Sequence, residues 1–102
     1  MRQNLEGRIE EMADFFKVFG DSTRMKILIA LLKGKELCVN CITEEMEVSQ
    51  SAISHQLRIL KTSGLVKARR DGKNMYYSLD DEHISTILEI ALQHVEHKGQ
   101  VD

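Results

Sequence analysis

Val48-Ser49-Gln50-Ser51-Ala52-Ile53-Ser54-His55-Gln56-Leu57-Arg58-Ile59-Leu60-Lys61-Thr62-Ser63-Gly64 reads as a turn, a helix and a stop. Ser49 is a good N-cap, because its short side-chain oxygen can accept a free amide of the first turn. Ile53, Leu57 and Leu60 recur at helical spacing and form an inward stripe over Gln50 to Thr62. Gly64 closes the helix. Before Ser49, a short helix is expected from Val39 to Glu47, with Val48-Ser49 as the turn. After Gly64, Leu65 to Ala68 and Met75 to Leu79 are strand-like. Between them Asp71-Gly72 is a hairpin signal, because a tight hairpin turn needs positive φ. Helix, tight turn, helix and two-stranded ribbon together predict a mainly α chain with a β-hairpin wing, a winged helix-turn-helix.

The flanks are helical. Leu5, Ile9, Met12, Phe15, Phe16 and Phe19 predict a helix over residues 5–19, ended by Gly20. Asp21 caps the next, Thr23 to Leu32, which Gly34 breaks. A last helix fills 83–98. The chain has 102 residues, which predicts one winged helix-turn-helix domain over 1–102 with dimerisation helices at both ends. One small core is marginal, and a second copy would stabilise it. Apolar residues make up 42% and charged residues 29%, too apolar for disorder. The longest apolar run, Ile27 to Leu32, is far short of the ~20 residues of a membrane span. The first residues carry no apolar signal region, so a cytoplasmic protein is expected. The two cysteines cannot form a cystine framework. Membrane proteins, secreted cystine scaffolds and large multi-domain enzymes are thereby excluded.

Net charge is −2, but its distribution is uneven. Residues 50–79 carry +5 and residues 80–102 carry −5. A local basic stretch is the footprint of a phosphate-binding surface. In a winged helix-turn-helix the second helix reads base edges in the major groove and the ribbon touches backbone or minor groove. The candidate DNA contacts are Ser49, Gln50, Ser51, Ser54, His55, Arg58 and Lys61 on the helix, with Arg69, Arg70 and Lys73 on the ribbon.

The last helix carries a second signal. At about 100° per residue, His94 falls about 20° from His83, and His97 about 40° the other way. Asp81 precedes His83 by two residues. Imidazole and carboxylate suit tetrahedral Zn(II). Eleven residues of helix span roughly 16 Å, so His83 and His94 cannot share an ion within one chain. Asp81 with His83 is one half-site, and His94 with His97 is the other. An antiparallel pair of these helices in a homodimer would build two whole sites, with Ile87 and Ile90 as the apolar seam. A separate stripe, Ile84, Leu88, Ala91, Leu92 and Val95, is expected to pack on the subunit's own core.

The chain resembles the ArsR/SmtB family of metal-sensing repressors over nearly its whole length. The resemblance rests on Phe19-Gly20-Asp21-Ser22-Thr23-Arg24, Glu36-Leu37-Cys38-Val39 and Ser49 to Leu57. Asp81-x-His83 with His94-x-x-His97 is similar to the zinc/cobalt site on the C-terminal helix of the CzrA-type sensors. The resemblance implies a homodimer that binds an operator inverted repeat without metal and releases it on binding Zn(II) or Co(II). Metal efflux genes are the implied targets. It also implies a link from His94 to a backbone carbonyl near His55, since a ligating histidine usually donates its other ring N–H. Soft-metal sensors of the family carry Cys-Val-Cys in the third helix, whereas this chain has Cys38-Val39-Asn40-Cys41. Two thiols at i and i+3 could share an ion or form a disulfide. Two partly buried structural thiols is the preferred reading.

The function expected is a metal-responsive repressor and not an enzyme. A thiol sensor of soft metals or oxidants through Cys38 and Cys41 is the alternative. A zinc hydrolase would need an open water position, and four protein ligands leave none. A DNA-binding architectural protein without an effector would leave the histidine face idle.

Overall fold

The structure is a computed structural model that describes the backbone of residues 2–101 and the side chains of residues 4–99. Helix α1 spans Arg2–Phe19 and α2 spans Ser22–Gly34. Asp21 caps α2, its carboxylate accepting the Arg24 amide at 3.0 Å. A short strand, β1 (Leu37–Cys38), leads into α3 (Val39–Met46). Helix α4 spans Gln50–Thr62, as the sequence predicts at both ends, with Ser49 Oγ accepting the Ala52 amide at 3.2 Å. Strands β2 (Val66–Asp71) and β3 (Asn74–Leu79) form the hairpin, and α5 runs over Glu82–Val101.

The hairpin is longer than expected, and its turn lies one residue later. Asp71 pairs with Asn74, so the loop is Gly72-Lys73 rather than Asp71-Gly72. Gly72 has φ 64° and Lys73 has no positive φ. Glycine first with only that residue at positive φ is the type II′ pattern, which suits strand twist. The sheet also has a third strand that the sequence reading missed. β1 pairs antiparallel with β3, Leu37 opposite Tyr77 and Cys38 opposite Tyr76, giving the order β1-β3-β2.

The core is where α2, α3, α4, α5 and the base of the wing converge. Ile27, Leu28 and Leu31 of α2, Ile42 of α3, and Ile53, Leu57 and Leu60 of α4 are buried. Leu65, Val66, Ile84 and Leu88 close it, and Phe19 seals one edge. The expected core stripe of α5 holds only at its start. Ile84 and Leu88 are buried, whereas Ala91, Leu92 and Val95 are exposed. α5 continues past the end of its own core, and no described residue after Leu88 is buried. α1 behaves alike: its end, around Phe15, Val18 and Phe19, packs, while Leu5, Ile9, Met12 and Phe16 are exposed. These overhangs raise the radius of gyration to 15.2 Å, above the ~13 Å of a compact 100-residue globule.

Candidate functional site

The outer face of α4 is open. Gln50, Ser51, Ser54, His55 and Arg58 line one shallow groove along it, and Ser49 and Lys61 are exposed beside it. Gln56, not among the expected site residues, fixes the helix from behind: Arg24 Nε of α2 donates to its Oε1 at 2.9 Å. A polar residue on the flank of the Ile53–Leu57–Leu60 stripe needs such a partner, because a half-buried amide left unpaired is costly. That position was the signal that could have found it.

On the wing the basic residues divide. Arg69 forks onto Glu36, with Nη2–Oε1 at 2.8 Å and Nε–Oε2 at 3.0 Å. It also lies 3.8 Å from Asp71 and 5.1 Å from the Tyr76 ring centroid. The bond from Arg69 holds the Glu36 carboxyl below its ordinary range and pushes the guanidinium further up. Among the described residues, Arg58, Lys61, Lys67, Arg70 and Lys73 have no ion-pair partner. Their charge faces solvent, beside a helix of small polar side chains.

Asp81 and His83 meet at the start of α5. Asp81 Oδ1 accepts the amides of His83 at 2.9 Å and Ile84 at 3.3 Å, so the carboxylate caps the helix. Its other oxygen, Oδ2, lies 3.3 Å from His83 Nδ1. The His83 imidazole first, then the amides, hold the Asp81 carboxyl below its usual range. His94 and His97 are exposed further along the helix. The single chain does not bring the two pairs together: among the described residues no three metal-ligating side chains form a cluster. Within the single chain the expected link from His94 to a backbone carbonyl near His55 is not formed: no side-chain hydrogen bond among the described residues involves His94. Ile87, expected in the seam, instead packs partly on the core, while Ile90 is exposed.

The thiols of Cys38 and Cys41 are 2.8 Å apart at the start of α3. Of the two thiols expected to be partly buried, Cys38 is half-buried and Cys41 is exposed. No helix among the described residues is long and apolar enough to cross a membrane.

Residues 21–68 match the family model described as bacterial regulatory protein, arsR family. The transcriptional repressor SmtB homolog of Synechocystis sp. is 44% identical over 87 residues, covering 85% of this chain and 65% of that protein. The cadmium resistance transcriptional regulatory protein CadC homolog of Staphylococcus aureus is 44% identical over 84 residues, covering 82% of this chain and 69% of that protein. The chain thus spans about two thirds of the length of these relatives. Among solved structures, the homodimeric winged helix-turn-helix DNA-binding domain of a possible ArsR-family transcriptional regulator from Mycobacterium bovis superposes with a TM-score of 0.82. It is 26% identical, and the match covers 89% of this chain and 83% of that one. These relatives are transcriptional regulators rather than enzymes. By sequence and by fold, the chain belongs to the ArsR family of bacterial regulatory proteins.

Proposed function

We propose that this chain is a cytoplasmic, metal-responsive transcriptional repressor that binds an operator inverted repeat as a homodimer. Zn(II), or Co(II) with the same ligand set, is the effector, and metal efflux genes are the targets. Asp81 and His83 of one protomer, with His94 and His97 of its partner, would hold the ion, as in a CzrA-like sensor. The donor set fits: three imidazoles and a carboxylate suit Zn(II). Asp81 fits in a second way. Its Oδ1 serves the helix cap and leaves Oδ2 facing His83. One observation carries the reading. The candidate ligands are two exposed pairs on a helix whose outer half is left bare by its own subunit.

The coupling runs through the dimer. Holding the start of one α5 against the end of the other would set the spacing of the two α4 helices. His94 would transmit this through its second ring nitrogen to the backbone near His55. A ligand shifts such an equilibrium only by its differential affinity for the two arrangements.

Anisotropy of labelled promoter DNA, with Zn(II) titrated at fixed ionic strength, tests this, since DNA affinity depends steeply on salt. Zinc should release DNA from the wild type and from a Cys38→Ser, Cys41→Ser double variant, but not from His97→Ala. Zinc-insensitive binding by the wild type, or a response lost only with the thiols, sinks the reading.

A further inference from the structure

Cys38 and Cys41 lie apart from α5, and the metal response proposed above uses neither. Their sulfurs are 2.8 Å apart, and Cys38 Sγ also accepts the Cys41 amide at 3.4 Å. A disulfide bond is about 2 Å long, so closure asks for less than ~1 Å of approach. The two thiols are not equivalent. The hydrogen bond from the Cys41 thiol, then the one from its amide, lowers the Cys38 pKa, while the same contact raises that of Cys41. A thiolate attacks and a neutral thiol waits, which is the division of labour that disulfide formation needs. The pair also sits at a junction. Cys38 pairs across the sheet with Tyr76, whose ring carries Arg69, and α3 packs on α4.

We propose that Cys38 and Cys41 form an oxidisable dithiol, a reversible modification site for hydroperoxides at the start of α3. The Cys38 thiolate attacks one oxygen of hydrogen peroxide. The O–O bond breaks, and the departing hydroxide takes up the proton that Cys38 released and leaves as water. Cys38 is then a sulfenic acid. The Cys41 sulfur attacks the Cys38 sulfur, the S–O bond breaks, and the hydroxyl leaves as water with the Cys41 proton. Two thiols and one peroxide become one disulfide and two waters.

The test treats the reduced full chain with equimolar hydrogen peroxide in the presence of a chelator, followed by alkylation and intact mass spectrometry. The expected product has lost two hydrogens, resists alkylation at both cysteines and runs as a single chain on a non-reducing gel. Dithiothreitol should restore both thiols. Cys38→Ser and Cys41→Ser should each abolish the product, and His94→Ala should leave it unchanged. Two thiols that still alkylate, a chain-to-chain disulfide, or irreversible addition of oxygens to one cysteine would each overturn the proposal. The readout involves neither metal nor DNA, so its failure is distinct from failure of the metal reading.

Discussion

Arg69 and Glu36 meet across 33 residues of sequence in a two-pronged ion pair that ties the hairpin to the segment entering β1. The guanidinium is therefore committed to protein, unlike those of its neighbours. Arg70→Gln and Lys73→Gln should each reduce the slope of log affinity against log salt by about one, the signature of a lost phosphate contact. Arg69→Gln should leave that slope nearly unchanged and lower the melting temperature instead. A slope reduction in Arg69→Gln equal to that of Arg70→Gln would return Arg69 to the DNA interface.

The same pair sets a pH dependence. Arg69 lowers the Glu36 pKa in the folded chain, so the unfolded chain binds the proton more readily. The stabilisation is fully present above the ordinary glutamate value of about 4.5 and disappears as pH falls through the lower folded value. Wild type should melt above Glu36→Gln at neutral pH, and the gap should close in acid. Both side chains are substantially exposed, so the gap is small and shrinks with salt. A gap that persists unchanged to the acid limit would remove the charge from the explanation.

What the sequence discloses follows the range of the physics involved. Helix α4 is legible at both ends because Ser49, Gly64 and the Ile53–Leu57–Leu60 stripe act within one or two turns. β1 has two residues, too few for any periodicity, and exists because Tyr76 and Tyr77 lie opposite it. The Arg69–Glu36 pair is likewise invisible without the sheet that aligns it. In α5 the periodicity correctly identifies an apolar face, but periodicity cannot tell whose core covers it. Ile84 and Leu88 meet their own subunit; Leu92 and Val95, on the same face, do not. The candidate metal ligands are visible in the sequence as residue types and angles, whereas the two-chain assembly proposed for them is a matter of how copies pair, which neither periodicity nor a single fold contains.

The turn between α3 and α4 holds a non-glycine residue in the left-handed region. Glu47, at φ 54° and ψ 37°, ends α3 and directs the chain toward Ser49. A side chain there costs roughly 1–2 kcal/mol, which glycine avoids, less its larger unfolded-state entropy. Glu47→Gly should therefore raise stability by up to about 1 kcal/mol in urea unfolding, with no change in the denaturant slope. Destabilisation by this substitution would show that the Glu47 side chain makes a contribution larger than the strain.

Asp81 caps α5, and in the metal site proposed above it would also be a ligand; substitution separates the two. Asn caps helices about as well as Asp, whereas Ala at an N-cap costs about 0.5–2 kcal/mol. Asp81→Asn should keep the melting temperature near wild type and weaken Zn(II) binding at least tenfold, measured by competition with a chromogenic chelator. Asp81→Ala should lose both. If Asp81→Asn binds zinc as tightly as wild type, the carboxylate is a cap alone and the ion is held by the histidines with another donor.

The bare stripes on the terminal helices set the last prediction. Leu5, Ile9, Met12 and Phe16 fall on one side of α1, each at least half exposed, and Ile90 and Val95 of α5 are about as open. Apolar surface left in water on this scale marks an interface, because burying each such side chain stabilises by up to roughly 1.5–3 kcal/mol. Ile9 touches no core residue strongly enough to be buried, so Ile9→Glu should leave the fold intact by circular dichroism. Placed in a dimer seam, however, its charge would be desolvated without a partner. Sedimentation should then give a monomer where the wild type gives a dimer. The monomer should also bind an inverted repeat far more weakly, because two half-sites no longer add their affinities. It should lose high-affinity zinc as well, because in the proposed site Asp81 and His83 of one protomer need His94 and His97 of its partner. Retention of the dimer by Ile9→Glu would move the seam off α1, and a wild-type monomer that still binds zinc tightly would dismantle the two-chain site.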